Sequence, residues 1–336
     1  MNALQIKEKL NSKEYDFIRL NKSLGKNIIL LTTGGSHAYG TDTPNSDLDI
    51  RGITLNSAKE ILTMNYNDKP IEDRHTDTVI YFLKQIISLL LNCNPNTIEI
   101  LGTKEEHLFI CTEEGRLLRD NADLFLSKKA TASFGGYAIA QLRRLQNALA
   151  RDSYPQKEKE SHILSSIEKQ LLTLPERYKE ITSGSLNLYL DTSMKEDFDE
   201  EIFMDINLKH YPLRDFKNIY SDINNVLKDY DKLNHRNSKK DELHLNKHAM
   251  HLIRLLIMGK EILEGKGIHT YREKEIPLLM DIRNGSFNYN EIFEMVDKFD
   301  KEFKYAAENT ILPDEPDYDS VKELLIQINK KVINTI

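Results

Sequence analysis

The spacing of apolar residues changes period several times along the chain, and each change marks an element. Leu4, Ile6, Leu10, Phe17, Ile18 and Leu20 recur among charges with Gly25 beyond them, which predicts a leading helix over residues 4–20 that packs on a sheet. Asn27-Ile28-Ile29-Leu30-Leu31-Thr32-Thr33 is a short apolar run bounded by Gly25 and Gly34, and it predicts a buried strand that runs into a glycine turn. In Asp47-Leu48-Asp49-Ile50 the period is two, so both carboxylates leave one face of a strand while Leu48 and Ile50 leave the other. That second strand continues to Leu55, and Ser57 is placed to cap a short helix containing Ile61 and Leu62. Residues 65–75 are polar and predict a loop, residues 76–81 are β-branched and aromatic and predict a third strand, and residues 82–91 turn helical.

From Ser127 onward the helical period dominates. Residues 127–150 place Phe134, Tyr137, Ile139, Leu142, Leu145 and Leu149 on one side, with Arg143, Arg144 and Arg151 on the rest of the surface. A polar connection at 152–160 leads into a helix over 161–181, and residues 184–190 and 201–208 alternate as two strands of a hairpin. Two amphipathic helices, near 290–309 and 317–332, end the pattern. The expected fold is α/β of the α+β type: a small mixed-sheet core over 1–126, then a mainly helical lobe over 127–336 that carries a β-hairpin insertion.

Composition narrows the class. With 336 residues, 40% hydrophobic and 29% charged, the chain has material for two cores of a globular protein. A net charge of -7 argues against sequence-independent coating of nucleic acid, which draws on clustered Lys and Arg, and leaves any such partner to be gripped locally. Cys93 and Cys111 are too few and too far apart for a disulfide framework. The N-terminus has no long apolar core and no cleavage site, and no run approaches the ~18 apolar residues of a membrane span, so a cytoplasmic protein without membrane contact is expected.

The candidate chemistry lies at residues 34–52. Two carboxylates as close as Asp47 and Asp49 repel unless a cation sits between them, and oxygen ligands of this kind suit Mg2+ or Mn2+. Gly34-Gly35 lets the backbone turn tightly and bring its N–H groups to an anion, with the Ser36 hydroxyl beside it. A phosphate chain on that turn and metals on the carboxylates describe two-metal phosphoryl or nucleotidyl transfer. The acidic run 191–201 lacks the glycine and spacing of a calcium loop and reads as a solvated turn.

A second informative stretch is 242–260. At about 100° per residue, His244, Lys247, His248, His251 and Arg254 fall within roughly a 120° arc of an otherwise apolar helix. Three readings stand for this basic stripe: a transition-metal site, for which no Cys or nearby acidic ligand completes the set, an ordinary polar face, or a surface that meets phosphate.

The order strand, Gly-Ser, about ten residues, then Asp-x-Asp on a second strand resembles the signature of the nucleotidyltransferase superfamily that includes DNA polymerase beta. The fuller wording, Gly-Ser-His-Ala-Tyr-Gly-Thr-Asp-Thr-Pro-Asn-Ser-Asp-Leu-Asp-Ile-Arg-Gly, looks like the predicted bacterial and phage nucleotidyltransferases associated with RNA repair. Asn94-Pro95-Asn96 with Glu99, Lys247-His248-Ala249-Met250-His251-Leu252-Ile253-Arg254, and Leu278 to Gly285 are similar to further motifs of that family.

The resemblance implies a third carboxylate on a later strand, here Asp77, with Glu72, Asp73 and Glu99 as rivals and a helix cap at Thr78 as the plain alternative for Asp77. It implies that Asp47, Asp49 and Asp77 hold two Mg2+ (or Mn2+) ions. A nucleoside triphosphate, ATP among the candidates, would lie between Gly35 and Ser36 on one side and Lys247, His248, His251 and Arg254 on the other, with His37, Tyr39 and Arg51 orienting substrates. The reaction implied is attack of a hydroxyl on the α-phosphorus with loss of pyrophosphate, and the acceptor implied is an RNA end, tRNA included. Transfer to an aminoglycoside-like small molecule or to a protein side chain, or a nucleotide-binding sensor without turnover, are the alternatives.

Overall fold

Six consecutive residues, Ile28–Thr33, are buried on both faces and form β1, the strand second from one edge of a five-stranded sheet ordered β3-β4-β2-β1-β5. The others are β2 (Ile50–Thr54), β3 (Ile71–Asp73), β4 (Thr78–Phe82) and β5 (Leu108–Cys111). β1 pairs antiparallel with both β2 and β5, and β3 antiparallel with β4, whereas β2 and β4 run parallel with Ile50 opposite Thr78. The computed structural model describes residues 1–63, 69–153, 156–171, 174–178, 185–194, 200–237 and 242–334.

One face of the sheet is closed by the N-terminal segment: Ile6, Leu10, Tyr15, Ile18 and Leu24 pack with Ile28, Leu31, Leu48, Ile50 and Ile80. The expected continuous helix over 4–20 is broken into Ala3–Leu10 and Asp16–Leu20. The break comes at Ser12, whose backbone is extended, and the Arg19 guanidinium donates to the carbonyls of Leu10 at 2.6 Å and Ser12 at 2.8 Å, so a side chain satisfies groups that a further helical turn would have satisfied. Asn2 and Gln5 form a reciprocal capping box at the front. The polar stretch read as a loop contains β3, too short to show a period; Asp73 fixes the β3–β4 turn by accepting from Thr76 N at 2.9 Å and Thr76 Oγ1 at 3.1 Å.

The chain divides into two compact units, residues 1–142 with 242–336, and residues 143–241, a different cut from 126/127. In the first, helix Glu242–Leu263 packs against Ile276–Arg283 and Tyr289–Glu308. Gly259 lies where Phe134 and Phe303 close on that helix. The amphipathic helices expected near the C-terminal end are Tyr289–Glu308 and Tyr318–Ile333. The second unit holds the expected hairpin, β6 (Leu186–Thr192) with β7 (Glu200–Ile206), around a core of Ile163, Ile167, Leu171, Leu188, Ile219 and Ile223. Among the described residues no helix is long and apolar enough to cross a membrane.

Leu48 is 6% exposed and sits between the two aspartates in the same core as Ile50 and Ile80. Leu48→Ala is expected to cost about 2–5 kcal/mol, the range for a leucine removed from a packed interior. Urea unfolding followed by far-UV circular dichroism measures it; a change under about 0.5 kcal/mol, the size of an ordinary surface substitution, would mean that Leu48 does not anchor this segment.

Candidate active site

β1 ends at Thr33, and the chain turns through Gly34 into a single short helix, Gly35–Tyr39. Gly34 N–H donates to the carbonyl of Asp49 at 2.9 Å, which ties the turn to the residue that leads into β2. Gly35 has φ +52, and a Cβ there would stand 2.0 Å from Asp49 Oδ2, so the carboxylate of Asp49 occupies the space that any other residue at 35 would fill. Asp47-Leu48-Asp49 enters β2 with the alternation expected: Asp47 exposed, Leu48 buried, Asp49 half-buried, Ile50 buried. Ser36 is half-buried on the first turn of the short helix, next to Gly35.

Asp77 immediately precedes β4 and does not cap a helix. Because Ile50 is opposite Thr78 in a parallel pair, Asp49 and Asp77 stand side by side, and Asp49, Arg51, Asp77, Val79 and Tyr81 share one face. The backbone joins them, Ile50 N–H donating to the Asp77 carbonyl at 3.1 Å. Asp77 has φ +45, an uncommon conformation for a residue with a side chain. Arg51 lies between the two acids: Nη2 is 2.9 Å from Asp49 Oδ1 and 3.4 Å from Asp77 Oδ1. Burial raises the Asp49 carboxyl to about 6; Arg51 opposes the rise, and the charges of Asp77 and Glu99 add to it. Negative charge therefore exceeds what Arg51 neutralises.

Beneath this face is a polar cluster that the sequence pattern did not assemble. Tyr39 is buried, and its hydroxyl donates to Glu99 Oε2 at 2.7 Å. The Arg254 guanidinium lies 3.6 Å from the centre of the Tyr39 ring, and Arg254 Nη2 donates to His251 Nδ1 at 2.7 Å. Burial pushes Glu99 above the usual carboxylate range, against the pull of Arg254 and of the Tyr39 hydroxyl, and burial with Arg254 alongside holds His251 neutral. Glu99, named only as a rival for the third carboxylate, is thus within the field of Asp49 and Arg51.

The basic stripe is graded and not uniformly exposed. Lys247 is exposed and His248 half-buried, whereas Arg254, two turns on, is 6% exposed. Periodicity alone put Arg254 on a solvent face; the Tyr39 ring covers it. The structure brings together Gly35, Asp49, Arg51 and Asp77, and links Tyr39, His251 and Arg254 to them through Glu99. Asp47, Ser36 and Lys247 make no side-chain hydrogen bond to these residues.

His37 turns away from the carboxylates. It is 3% exposed, with Nδ1 3.3 Å from Asp42 Oδ2, and burial holds it below its ordinary pKa although Asp42 opposes this. The loop between the glycine bend and Asp47 is clamped from the C-terminal part of the chain: Arg283 Nη1 donates to the Thr41 carbonyl at 2.5 Å and Nη2 to Ser46 Oγ at 3.1 Å, while Ser46 Oγ accepts from Thr43 N at 2.9 Å. Arg283 received no role from the sequence, although it lies in the 278–285 motif. A basic residue in the last turn of an apolar helix, just before Asn284-Gly285, is the local signal.

The donor set fits a hard divalent cation in type and in charge. Asp49 and Asp77 both meet Arg51 Nη2, at 2.9 and 3.4 Å, so one positive group spans the two carboxylates, and both offer only oxygen. Among the described residues no three His, Cys, Asp or Glu side chains are gathered around one point as a metal cage.

Residues 9–165, which contain the bend, β1 to β5, both aspartates of the Asp-x-Asp pair, Asp77 and Glu99, match the family described as the RNA repair pathway DNA polymerase beta family. The match supports a DNA polymerase beta-like nucleotidyltransferase linked to RNA repair. The nucleotidyltransferase match ends before Arg254 and Arg283, which reach its site from later in the chain. No curated protein and no solved structure matches the chain.

Proposed function

We propose that this protein is a nucleotidyltransferase that moves a nucleotidyl group from a nucleoside triphosphate to a hydroxyl at an RNA end, with release of pyrophosphate. The observation that supports it most is the side-by-side placement of Asp49 and Asp77 on parallel strands, with an Asp49 oxygen against the bare backbone of Gly35. Asp47, Asp49 and Asp77 would hold two Mg2+ or Mn2+ ions. Bound there, such ions stabilise both the attacking and the leaving oxygen of an in-line displacement.

The chain's own groups do the rest. Backbone N–H groups of Gly35 and Ser36 and the Ser36 hydroxyl hold the β- and γ-phosphates, with Arg51 and the exposed Lys247 and His248 as further cationic or donor contacts. Tyr39, His251 and Arg254 act from beneath, fixing Glu99 and the helix that carries Ser36. Asp77, exposed at the start of β4, accepts the proton of the attacking hydroxyl. The new bond joins the acceptor oxygen to the α-phosphorus and the bond to pyrophosphate breaks. In this reading 1–126 is the catalytic core and the helical 127–336 closes over the nucleotide and binds the acceptor.

Incubating the protein with each α-labelled nucleoside triphosphate, Mg2+ and total RNA tests the acceptor. Label is expected at RNA ends, read by sequencing the labelled termini. Label recovered in polypeptide or in a small molecule such as an aminoglycoside would replace RNA as the acceptor.

A further inference from the structure

The counter-charge to Asp49 and Asp77 in this structure is a side chain. Arg51 presents Nη2 to Asp49 Oδ1 at 2.9 Å, and both Nη1 and Nη2 approach Asp77 Oδ1 at 3.4 Å. Nη1 is held by backbone carbonyls, those of Asp77 at 2.7 Å and Ile50 at 3.0 Å. Only one of the contacts to carboxylate oxygen is short, so the fork spans the pair without matching either acid two-pronged. A divalent ion that bridged the same oxygens would need the space the guanidinium now fills.

The stem of Arg51 shows where the guanidinium would go. A Cβ on Gly34 would stand 2.9 Å from Arg51 Cγ and 3.5 Å from Nε, so the aliphatic part of the side chain lies along the glycine bend. The charged end is therefore within one side chain's swing of the glycine backbone, where the proposed triphosphate would lie. A guanidinium matches phosphate oxygens in the same forked way that it matches carboxylate, and keeps its charge at every working pH.

Resting on the reading of the site under Proposed function, we propose that Arg51 is an exchangeable counter-ion: it neutralises Asp49 and Asp77 until a divalent ion displaces it, and it then turns to the triphosphate. Metal and nucleotide become coupled, because each favours the position of Arg51 that admits the other, and the coupling is reciprocal. The proposal differs from a fixed phosphate contact, which would leave metal affinity unchanged when Arg51 is removed.

Binding of Mn2+, followed by loss of the free-ion signal in electron paramagnetic resonance, tests this without turnover. The full chain is compared with Arg51→Gln and Arg51→Lys, alone and with an α,β-methylene nucleoside triphosphate. Without nucleotide, Arg51→Gln is expected to bind Mn2+ about tenfold more tightly than the parent, the size of one lost charge-assisted hydrogen bond. Its gain in Mn2+ affinity on adding nucleotide should shrink. Arg51→Lys, which keeps the charge and loses the fork, should fall between, and it decides the matter if Arg51→Gln melts out of its fold. Equal or weaker Mn2+ binding by both variants overturns the exchange. If instead the parent binds Mn2+ no better than Asp49→Asn, the carboxylate site itself is refuted, and the exchange with it.

Discussion

Asp49→Asn is expected to abolish nucleotidyl transfer and at the same time to make the metal-free protein more stable near pH 7.5. The loss of turnover should reach about a thousandfold or more, since a carboxylate-held ion supplies several kcal/mol of charge stabilisation to the transition state and each 1.36 kcal/mol is tenfold. The gain in stability follows from the raised pKa. With an ordinary value of 3.8 and about 6 in the folded chain, the protonated Asp49 supports the fold fully below about pH 4. That support is lost as pH rises through 6, because the folded protein must then ionise a group that burial and the neighbouring acids oppose. Asparagine never ionises, so it removes the cost. The effect is on the order of 1–2 kcal/mol once the partial exposure of the carboxylate is allowed for. Thermal melts of both proteins between pH 4 and pH 8 measure it. Millimolar Mg2+ should raise the melting temperature of the parent at pH 7.5 and leave that of Asp49→Asn nearly unmoved. A parent whose stability rises from pH 4 to pH 7 relative to the variant would refute the assignment.

The second large effect is at Gly35. A side-chain carbon there would meet Asp49 Oδ2 at 2.0 Å and Asp49 Cγ at 2.7 Å, on a backbone with φ +52. Gly35→Ala must therefore push the Asp49 carboxylate off its position, and a displacement near 1 Å suffices for about a hundredfold loss of rate. The left-handed backbone adds about 1–2 kcal/mol of strain for any residue with a Cβ. Transfer assays and chemical unfolding on the same preparation separate the two consequences. Gly136→Ala serves as the contrast: it lies within a helix, a Cβ there meets nothing within 4 Å, and it should stabilise by about 0.5–1 kcal/mol with activity intact. Full activity in Gly35→Ala would separate the bend from the chemistry.

A trade between stability and function runs through the site. Asp49 and Asp77 are held close, Asp77 in an uncommon backbone conformation, with Arg51 as partial compensation. The Asp49 carboxyl is raised chiefly by burial, with the charges of Asp77 and Glu99 adding to the rise, and two acids face one guanidinium. The same excess of negative charge favours a cation.

The sequence by itself determined whatever depends on neighbours a few residues apart. The apolar run 27–33 became β1, the period of two through Asp47-Leu48-Asp49-Ile50 set the acids against a face holding Leu48 and Ile50, and the alternating segments either side of the acidic run became β6 and β7. Tertiary structure alone decided which segments meet. The parallel register of β2 with β4 brings Asp77 beside Asp49 across 28 positions of chain, and packing of helix Glu242–Leu263 sets Arg254 on Tyr39 and buries it. Arg283 reaches Thr41 and Ser46 from still farther. The physical reason is one of range: side-chain period is fixed by local backbone geometry and is written in adjacent residues, whereas pairing register and helix burial come from contacts between segments whose separation in sequence says nothing of their distance.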